Sequence, residues 1–508
     1  MKDCRIVWVT VGLLFFASCA KEKELSVKNN PLTDRNKIQW TPAELKVLHQ
    51  MRGENYKLSM EEINLLANEE INFLDGKKPV KSGSSRRIET IMPLTSGEMQ
   101  KSTLRSSSES ESVNVPDTLA YAINFADSTG FTIIAADTRV ENPVLATVYS
   151  GTLGSEITNY PGMGIFLQGA ELYIEQSILD FEQSKDSLMR DISAKLYYAN
   201  SDSSATKIMP QEGYVILSEE LLAVSPWVTT YTKGPLSPVE WGQGNEFGGD
   251  VFWDNVRYKK SCGTCPAGCV AVAIAHIMSY WKYPTTMGSS TYDWSLLNQY
   301  TGLGTSESYK TWTYNKFSYN VPLSLTNQIA DLMEKIGTAV GMNWDCNSSG
   351  AGSDDAIQYL KSRGFSGGTK KNYDYSSVVS SLNNNRPVYI DGYAQTASDG
   401  HAWVVDGYMN RMRTVTYTVV ISGSQNQPVL PSNMEINQYL GNGKWSVLLY
   451  TQEYENRLHN NWGWAGLYNG WFLANCFDSH AESLENPYGN DHSANFQYKN
   501  TIYVDLNH

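Results

Sequence analysis

Gly268-Cys269-Val270-Ala271-Val272-Ala273-Ile274-Ala275-His276-Ile277-Met278 puts a thiol at the head of a small, apolar run of helix length. A helix starting there aims unpaired backbone N–H groups and the positive end of its dipole at the sulfur, which favours thiolate over thiol. A packed structural cysteine fits the same residues, because free cysteine is among the most buried residue types. Residues far downstream decide between the two. Asp399-Gly400-His401-Ala402-Trp403-Val404-Val405-Asp406-Gly407-Tyr408 sets an imidazole at the mouth of a strand-like run rich in β-branched and aromatic residues. His459-Asn460-Asn461-Trp462-Gly463-Trp464-Ala465-Gly466-Leu467-Tyr468-Asn469-Gly470-Trp471-Phe472 then supplies amides able to orient an imidazole and indoles able to shield that bond from water.

Nucleophile, base and orienting group, in that order, is the order of papain-like peptidases. Within that clan the three blocks resemble the streptopain family of bacterial cysteine peptidases. Its helix runs on here to Ile277-Met278-Ser279-Tyr280-Trp281-Lys282-Tyr283-Pro284, followed by the Gly-His-Ala and Asn-Trp-Gly-Trp blocks. Trp241-Gly242-Gln243-Gly244-Asn245 is similar to the segment that opens the mature enzyme in that family. The resemblance implies an α+β fold: a papain-like domain of two lobes, one helical and one of antiparallel β-structure, preceded by an α+β inhibitory prodomain.

It also implies roles. Cys269 is the expected nucleophile and His401 the general base and acid. Asn460 lies where papain-like enzymes carry the orienting amide, with Asn461 the competing choice, and Trp462 is expected to pack over His401. Gln243 is the expected oxyanion donor, together with the N–H of Cys269. Trp464, Gly400, Ser349 and Gly350 are expected to line the substrate cleft, the last two within the Ser/Gly-rich stretch from Asp345 to Ser353. His276 shares the helix with Cys269, but seven residues at about 1.5 Å of rise put it about 10 Å along the axis, too far to share a proton. It reads as a packed helix residue.

The chain has 508 residues, enough for two or three domains. A net charge of −13 with no basic cluster argues against nucleic acid as a partner. Lys2 and Arg5 precede an apolar run from Ile6 to Phe16 that ends in Phe16-Ala17-Ser18-Cys19. This has the layout of an export signal, too short to span a bilayer, and its end resembles a bacterial lipobox that would place lipid on Cys19. The expected location is therefore outside the cytoplasm, as an outer-membrane or cell-surface lipoprotein whose catalytic domain could be released. Cys262-Gly263-Thr264-Cys265 has half the spacing of a zinc ribbon, but with no second half no metal is expected. In an exported chain that pair could oxidise to a disulfide. No cofactor is expected. Protein or peptide substrates and the chain's own prodomain are the expected partners, with the membrane reached through Cys19.

The predicted organisation is a signal over 1–18, a polar tether over 19–40, a prodomain over 41–224 and a catalytic domain over 225–508. Helix starts fall at Thr41-Pro42-Ala43-Glu44 and at Ser59-Met60-Glu61-Glu62, the second a capping box. A Ser-, Lys-, Arg- and Glu-rich stretch near 78–117 reads as a long mobile loop. Antiparallel strands are expected over 119–125, 131–136 and 144–150, with helix-period segments between Met163 and Leu196. Gly130-Phe131-Thr132-Ile133-Ile134-Ala135-Ala136-Asp137 resembles the propeptide of the same family. About sixty residues separate His401 from Trp462, more than the family resemblance allows for. Strand-like stretches at Thr414 to Ile421 and Trp445 to Thr451 make an inserted hairpin near 409–457 the economical account. Two other classes share the residues: a catalytically silent surface binding module, and a transglutaminase-like acyl transferase, which would have no use for the Asn-Trp-Gly-Trp block.

Overall fold

Ser59 and Glu62 form the capping box: the Ser59 N–H donates to Glu62 Oε2 at 2.8 Å, and the Glu62 N–H to Ser59 Oγ at 3.2 Å. They start helix α1, Met60–Lys77, whose Ile63, Leu66, Ala67, Ile71 and Leu74 are buried on one face. The computed structural model describes residues 47, 56–77, 85–95, 115–154, 160–201, 215–243, 259–260, 263–298, 323–393, 400–422, 434–478 and 499–508. The helix start expected at Thr41 lies outside these, as does Cys19; Val47 beyond that start is helical and buried.

The N-terminal segment, expected from the sequence to be a prodomain, contributes strands β1 (Ile88–Thr95), β2 (Thr118–Phe125), β3 (Phe131–Ala135) and β4 (Val144–Val148). The last three match the sequence reading. The first corrects it, because β1 lies inside the stretch read as a loop. It pairs antiparallel with β2, with Ile91 opposite Ile123. Only Leu94 of β1 is buried, and Ile88, Ile91 and Met92 are partly covered without alternation, so this edge strand gave no period to read beside its charged neighbours. The helix-period segments merge into one helix, α2, Pro161–Ser201.

Among the described residues a single sheet holds 13 strands. Its remaining members are β5 (Val215–Val224), β6 (Val228–Lys233), β7 (Thr369–Asn372), β8 (Val388–Tyr393), β9 (His401–Ser422), β10 (Met434–Gly441), β11 (Lys444–Asn461), β12 (Gly470–Leu473) and β13 (Lys499–Val504). The order runs β1-β2-β3-β4-β12-β11-β9-β8-β13-β7, with β10 on β11 and both β5 and β6 on β9. The N-terminal strands join the rest of the sheet at β4 and β12, where Thr147 faces Trp471. The inserted hairpin is no separate graft: β9 and β11 run unbroken from the active-site end of the sheet into it, paired from Val404–Asn461 out to Ser422–Lys444 with one register shift between Val405 and Gly407.

The helical lobe is built on α3 (Cys269–Trp281), α4 (Trp294–Leu297), α5 (Leu323–Ala339) and α6 (Ser353–Ser362). Helix α7 (Tyr375–Asn383) packs near β8 and β13. Every residue of α3 from Val270 to Ser279 is buried, which explains a run apolar on all sides instead of striped. The lobe's core joins Val270, Ile274, Met278, Met333 and Ile336 to Tyr389, Val404 and Tyr503 of the sheet. That is the expected layout of a helical lobe against an antiparallel sheet.

A second core runs through both domains. Ile165, Phe166 and Ile174 of α2 share it with Trp403, Trp462, Phe472 and Phe477, and the Phe166 ring centroid lies 4.8 Å from that of Phe472. The N-terminal segment is therefore packed against the later strands as one part of a domain packs on another, through apolar surface as well as strand pairing.

Candidate active site

Cys269 is the first residue of α3 and is partly exposed, unlike the ten residues after it. Gly268 is the N-cap with φ of +85°, a conformation that favours glycine. A Cβ there would also lie 2.7 Å from the carbonyl oxygen of Ser349. Ser349 is buried and Gly350 exchanges backbone hydrogen bonds with Asn343, so the Ser/Gly-rich loop is pressed against the turn that presents the thiol. Gln243 reaches the same turn through its backbone, its carbonyl accepting the Ala267 N–H at 2.8 Å. Gly242 packs so closely on the Trp464-Ala465 backbone that a Cβ would come within 2.9 Å of the Ala465 nitrogen.

His401 is the first residue of β9 and is buried. Its Nε2 donates to the Trp462 carbonyl oxygen at 2.8 Å. Its ring lies 4.7 Å from that of Trp464, 6.3 Å from that of Trp462, and stacks on Trp403 at 6.0 Å. Burial pushes its pKa down to about 4, only partly opposed by the Trp462 carbonyl. The imidazole is therefore neutral at pH 7. Next to it, Gly400 lies under the half-exposed ring of Tyr393.

Residues at the start of α2 roof this histidine. A Cβ on Gly162, near the start of α2, would lie 2.5 Å from the Trp462 ring and 2.8 Å from His401 Cδ2. Tyr160 meets Trp464 edge-on at 5.2 Å and Tyr468 at 4.8 Å. Neither Tyr160 nor Gly162 stands out in the sequence, because each matters only for what it touches.

The amides differ from expectation. Asn460 does not orient His401 in this arrangement: its Oδ1 accepts the Trp403 indole N–H at 2.7 Å. A buried indole needs an acceptor, and this one takes the amide oxygen. Asn461 is buried and donates to the Val239 carbonyl at 2.8 Å. Asn469, to which sequence reasoning gave no role, accepts the Trp462 N–H at 3.0 Å and donates to Asn461 Oδ1 at 3.2 Å. Together Asn461 and Asn469 fix the loop whose carbonyl holds His401. The signal was a third asparagine in a block that buries all three.

His276 is fully within α3 and buried, and burial pushes its pKa down to about 4 against small opposing effects of the Trp241 backbone and Glu240. A further buried pair joins His459 Nδ1 to Asp406 Oδ1 at 2.6 Å. Asp406 also ties down the chain leading out of the prodomain, its Oδ2 accepting the Ser237 N–H at 3.0 Å and its carbonyl that of Leu236 at 2.8 Å. The disulfide that Cys262 and Cys265 could form is not made: Cys265 is free and buried, whereas Cys346 is disulfide-bonded. Among the described residues no helix is long and apolar enough to cross a membrane.

Residues 241–472 match the model of the Peptidase C10 family. The chain is 26% identical over 233 residues to streptopain of Streptococcus pyogenes serotype M28, and 25% identical over 232 residues to that of serotype M1. Each match takes in 42% of this chain and 47% of the relative, so the chain spans about half the length of the streptopains it matches. Among solved structures, a fragment of Prevotella intermedia prointerpain A aligns over 78% of this chain and 98% of its own, at 16% identity and a TM-score of 0.41. Active interpain A of the same organism aligns over 54% and 94%, at 19% identity and a TM-score of 0.32.

Proposed function

We propose that this chain, whose residues 241–472 belong to the Peptidase C10 family, is the latent precursor of an exported cysteine endopeptidase. The observation that carries the reading is the roof that Tyr160 and Gly162, from the expected prodomain, set over His401 and its Trp462–Trp464 surround, beside a sheet packed on the helix that Cys269 heads with a partly exposed thiol. The thiol supplies a nucleophile. The roof keeps its base out of use.

Once the roof leaves, His401 takes the thiol proton and the Cys269 sulfur bonds to the substrate carbonyl carbon. The carbonyl oxygen gains the electron pair and is met by the Cys269 N–H and, as proposed, the Gln243 side chain. Collapse breaks the C–N bond as the imidazolium gives its proton to the leaving amine. Water, deprotonated by His401, then releases the acid and restores the thiol. Asn460 would serve as the orienting amide only if Trp403 gave it up. Trp464, Gly400, Ser349 and Gly350 are the proposed lining of the substrate cleft.

Processing is proposed between about Leu217 and Glu240, and N-terminal sequencing of activated protein tests it. An active enzyme still joined covalently to residues 41–210 would contradict the precursor reading. Export and lipid attachment at Cys19 are part of the proposal. Labelled fatty acid should enter the wild type in its native host and not a Cys19→Ala chain.

Gly162→Ala should loosen latency, since its methyl must displace the Trp462 and His401 rings. The expected result is self-processing several-fold faster than wild type at the same pH, read by the rate at which the full-length band disappears.

Acid should act in the same direction. His401 is held neutral in the closed state with a pKa near 4, against an ordinary value of 6.5. Opening lets it take up a proton at any pH between the two, so the closed state loses stability as pH falls from about 6.5 to about 4. Limited proteolysis of the inactive Cys269→Ala chain should show the linker and α2 becoming more susceptible across that window. Unchanged susceptibility from about pH 7 to about pH 4.5 would contradict it.

A further inference from the structure

We propose that the inserted hairpin, strands β9 and β11 beyond Tyr408 and Leu458, is a receptor for the prodomain that keeps hold of it after the connecting chain is cut. This rests on the precursor reading above and adds a second site of prodomain attachment, apart from the roof over His401.

The hairpin has one face built for such a partner. On adjoining strands Arg411 stands opposite Glu455, Val415 opposite Thr451, Tyr417 opposite Leu449 and Val419 opposite Val447. Toward the tip this face is apolar: Val415, Tyr417, Val419, Ile421, Val447 and Leu449 form one buried cluster. The N-terminal segment supplies Val47 and Phe181 to this cluster, with Tyr56, Leu188 and Met189 partly buried against it, beside Met434, Ile436 and Trp445 of β10 and β11. Toward the base the face is charged. Glu70 of α1, fully buried, meets Arg411 at 2.8 Å and makes two contacts with Arg457 at 2.8 and 3.0 Å. The hairpin's Glu455 contacts both guanidinium groups at 3.0 and 2.9 Å. Two arginines against one hairpin carboxylate leave a positive charge that Glu70 completes, and Thr147 of β4 adds a hydrogen bond to Glu70 at 2.7 Å.

The edge of the hairpin is taken as well. β5 runs antiparallel along β9, from Val224 opposite Val415 to Val215 opposite Ser422. The turn from Ser225 to Trp227 separates β5 from β6, with Val224 and Val228 exposed on either side of it. A cut there leaves β5 with the prodomain and still hydrogen-bonded along the hairpin edge. Face, charge and edge then all belong to one released fragment, so cleavage and opening of the cleft become separate events. The occupant follows from complementarity already present: an apolar helix face, one carboxylate placed between two guanidiniums, and a strand.

The test uses the full chain carrying Cys269→Ala, with the recognition sequence of a specific protease placed at Ser225–Trp227. After complete nicking, the two fragments should co-elute in gel filtration at micromolar concentration. In the same background Glu70→Gln and, independently, Phe181→Ala should each weaken retention, by on the order of 100-fold for Glu70→Gln, where a buried charge pair is broken. The intact variants are first checked for a cooperative thermal transition. Fragments of the nicked parent that separate at once would overturn the proposal, as would both variants holding together as firmly as the parent. Neither outcome depends on peptidase activity, whose absence would be read separately from Cys269 labelling.

Discussion

Cys269→Ala should leave the chain at full length under activating conditions and lower peptide hydrolysis by on the order of 10⁴-fold or more. His401, the Cys269 N–H and the cleft wall all act on a bond that the sulfur must first attack, so their contributions do not add: removing the nucleophile removes the work of the others. The backbone N–H remains and accounts for any residue of activity. Hydrolysis of a chromogenic peptide by wild type and variant, each cut by an unrelated specific protease at a site placed at Ser225–Trp227 and then separated from its N-terminal fragment, separates loss of chemistry from loss of processing. Activity within about tenfold of wild type would exclude Cys269 as nucleophile.

The second large effect is expected at Glu70, far from the thiol. Burial alone would push its carboxyl pKa up, but Arg411, Arg457 and the hydrogen bonds from Arg457 and Thr147 outweigh burial and hold it far below the usual carboxylate range. Glu70→Ala strands two buried guanidiniums with only Glu455 between them. Breaking a buried pair in this way costs about 3–5 kcal/mol, which should lower the melting temperature of the intact chain by on the order of 10 °C. Processing should quicken because the closed state is the one destabilised. Glu70→Gln keeps the shape and part of the hydrogen bonding and should fall between. Since the depressed carboxyl stays ionised well below about pH 4.5, its contribution persists across the window in which His401 gives way. The acid response is therefore a property of the histidine, and a melting curve of Glu70→Ala should be displaced at about pH 7 and at about pH 5 alike.

How much of this was legible in the sequence varies with the range of the interaction. The head of α3 could be read from a run apolar on every side with a glycine before the thiol, and α1 from its capping box, because both are local. The strands β2 to β4 could be read from alternation and turns. β1 could not, since an edge strand keeps a polar face and takes its order from a neighbour more than twenty residues on. The hairpin's two strands were visible, but not that they continue the central strands or that β5 pairs along them.

The site shows the same division. Residue types and order pointed to Cys269, His401 and the Trp462 block, and they stand at the ends of α3, β9 and β11. The hydrogen bonds among them were not legible. Asn460 has the right identity for an orienting amide, yet its oxygen is taken by the buried Trp403 indole, and only the fold brings that indole to it. Asn469 and Gly162 act through contacts that no local pattern reveals: one locks the loop bearing the Trp462 carbonyl, the other lets α2 come down on the histidine. Glu70 is one of several acidic residues in α1, and nothing in the local sequence sets it apart. Its role appears when β9 and β11 bring two arginines under it.

The most direct measurement is covalent labelling with an epoxide cysteine-peptidase inhibitor, followed by mass mapping of the adduct on the intact chain and on the processed enzyme. One adduct is expected, on Cys269, slow to form in the full-length chain, fast once the prodomain is gone, and absent from Cys269→Ala. Equal labelling of wild type and Cys269→Ala, or none on the processed enzyme once its prodomain has been separated from it, would contradict the assignment of Cys269 as the nucleophile of a latent peptidase.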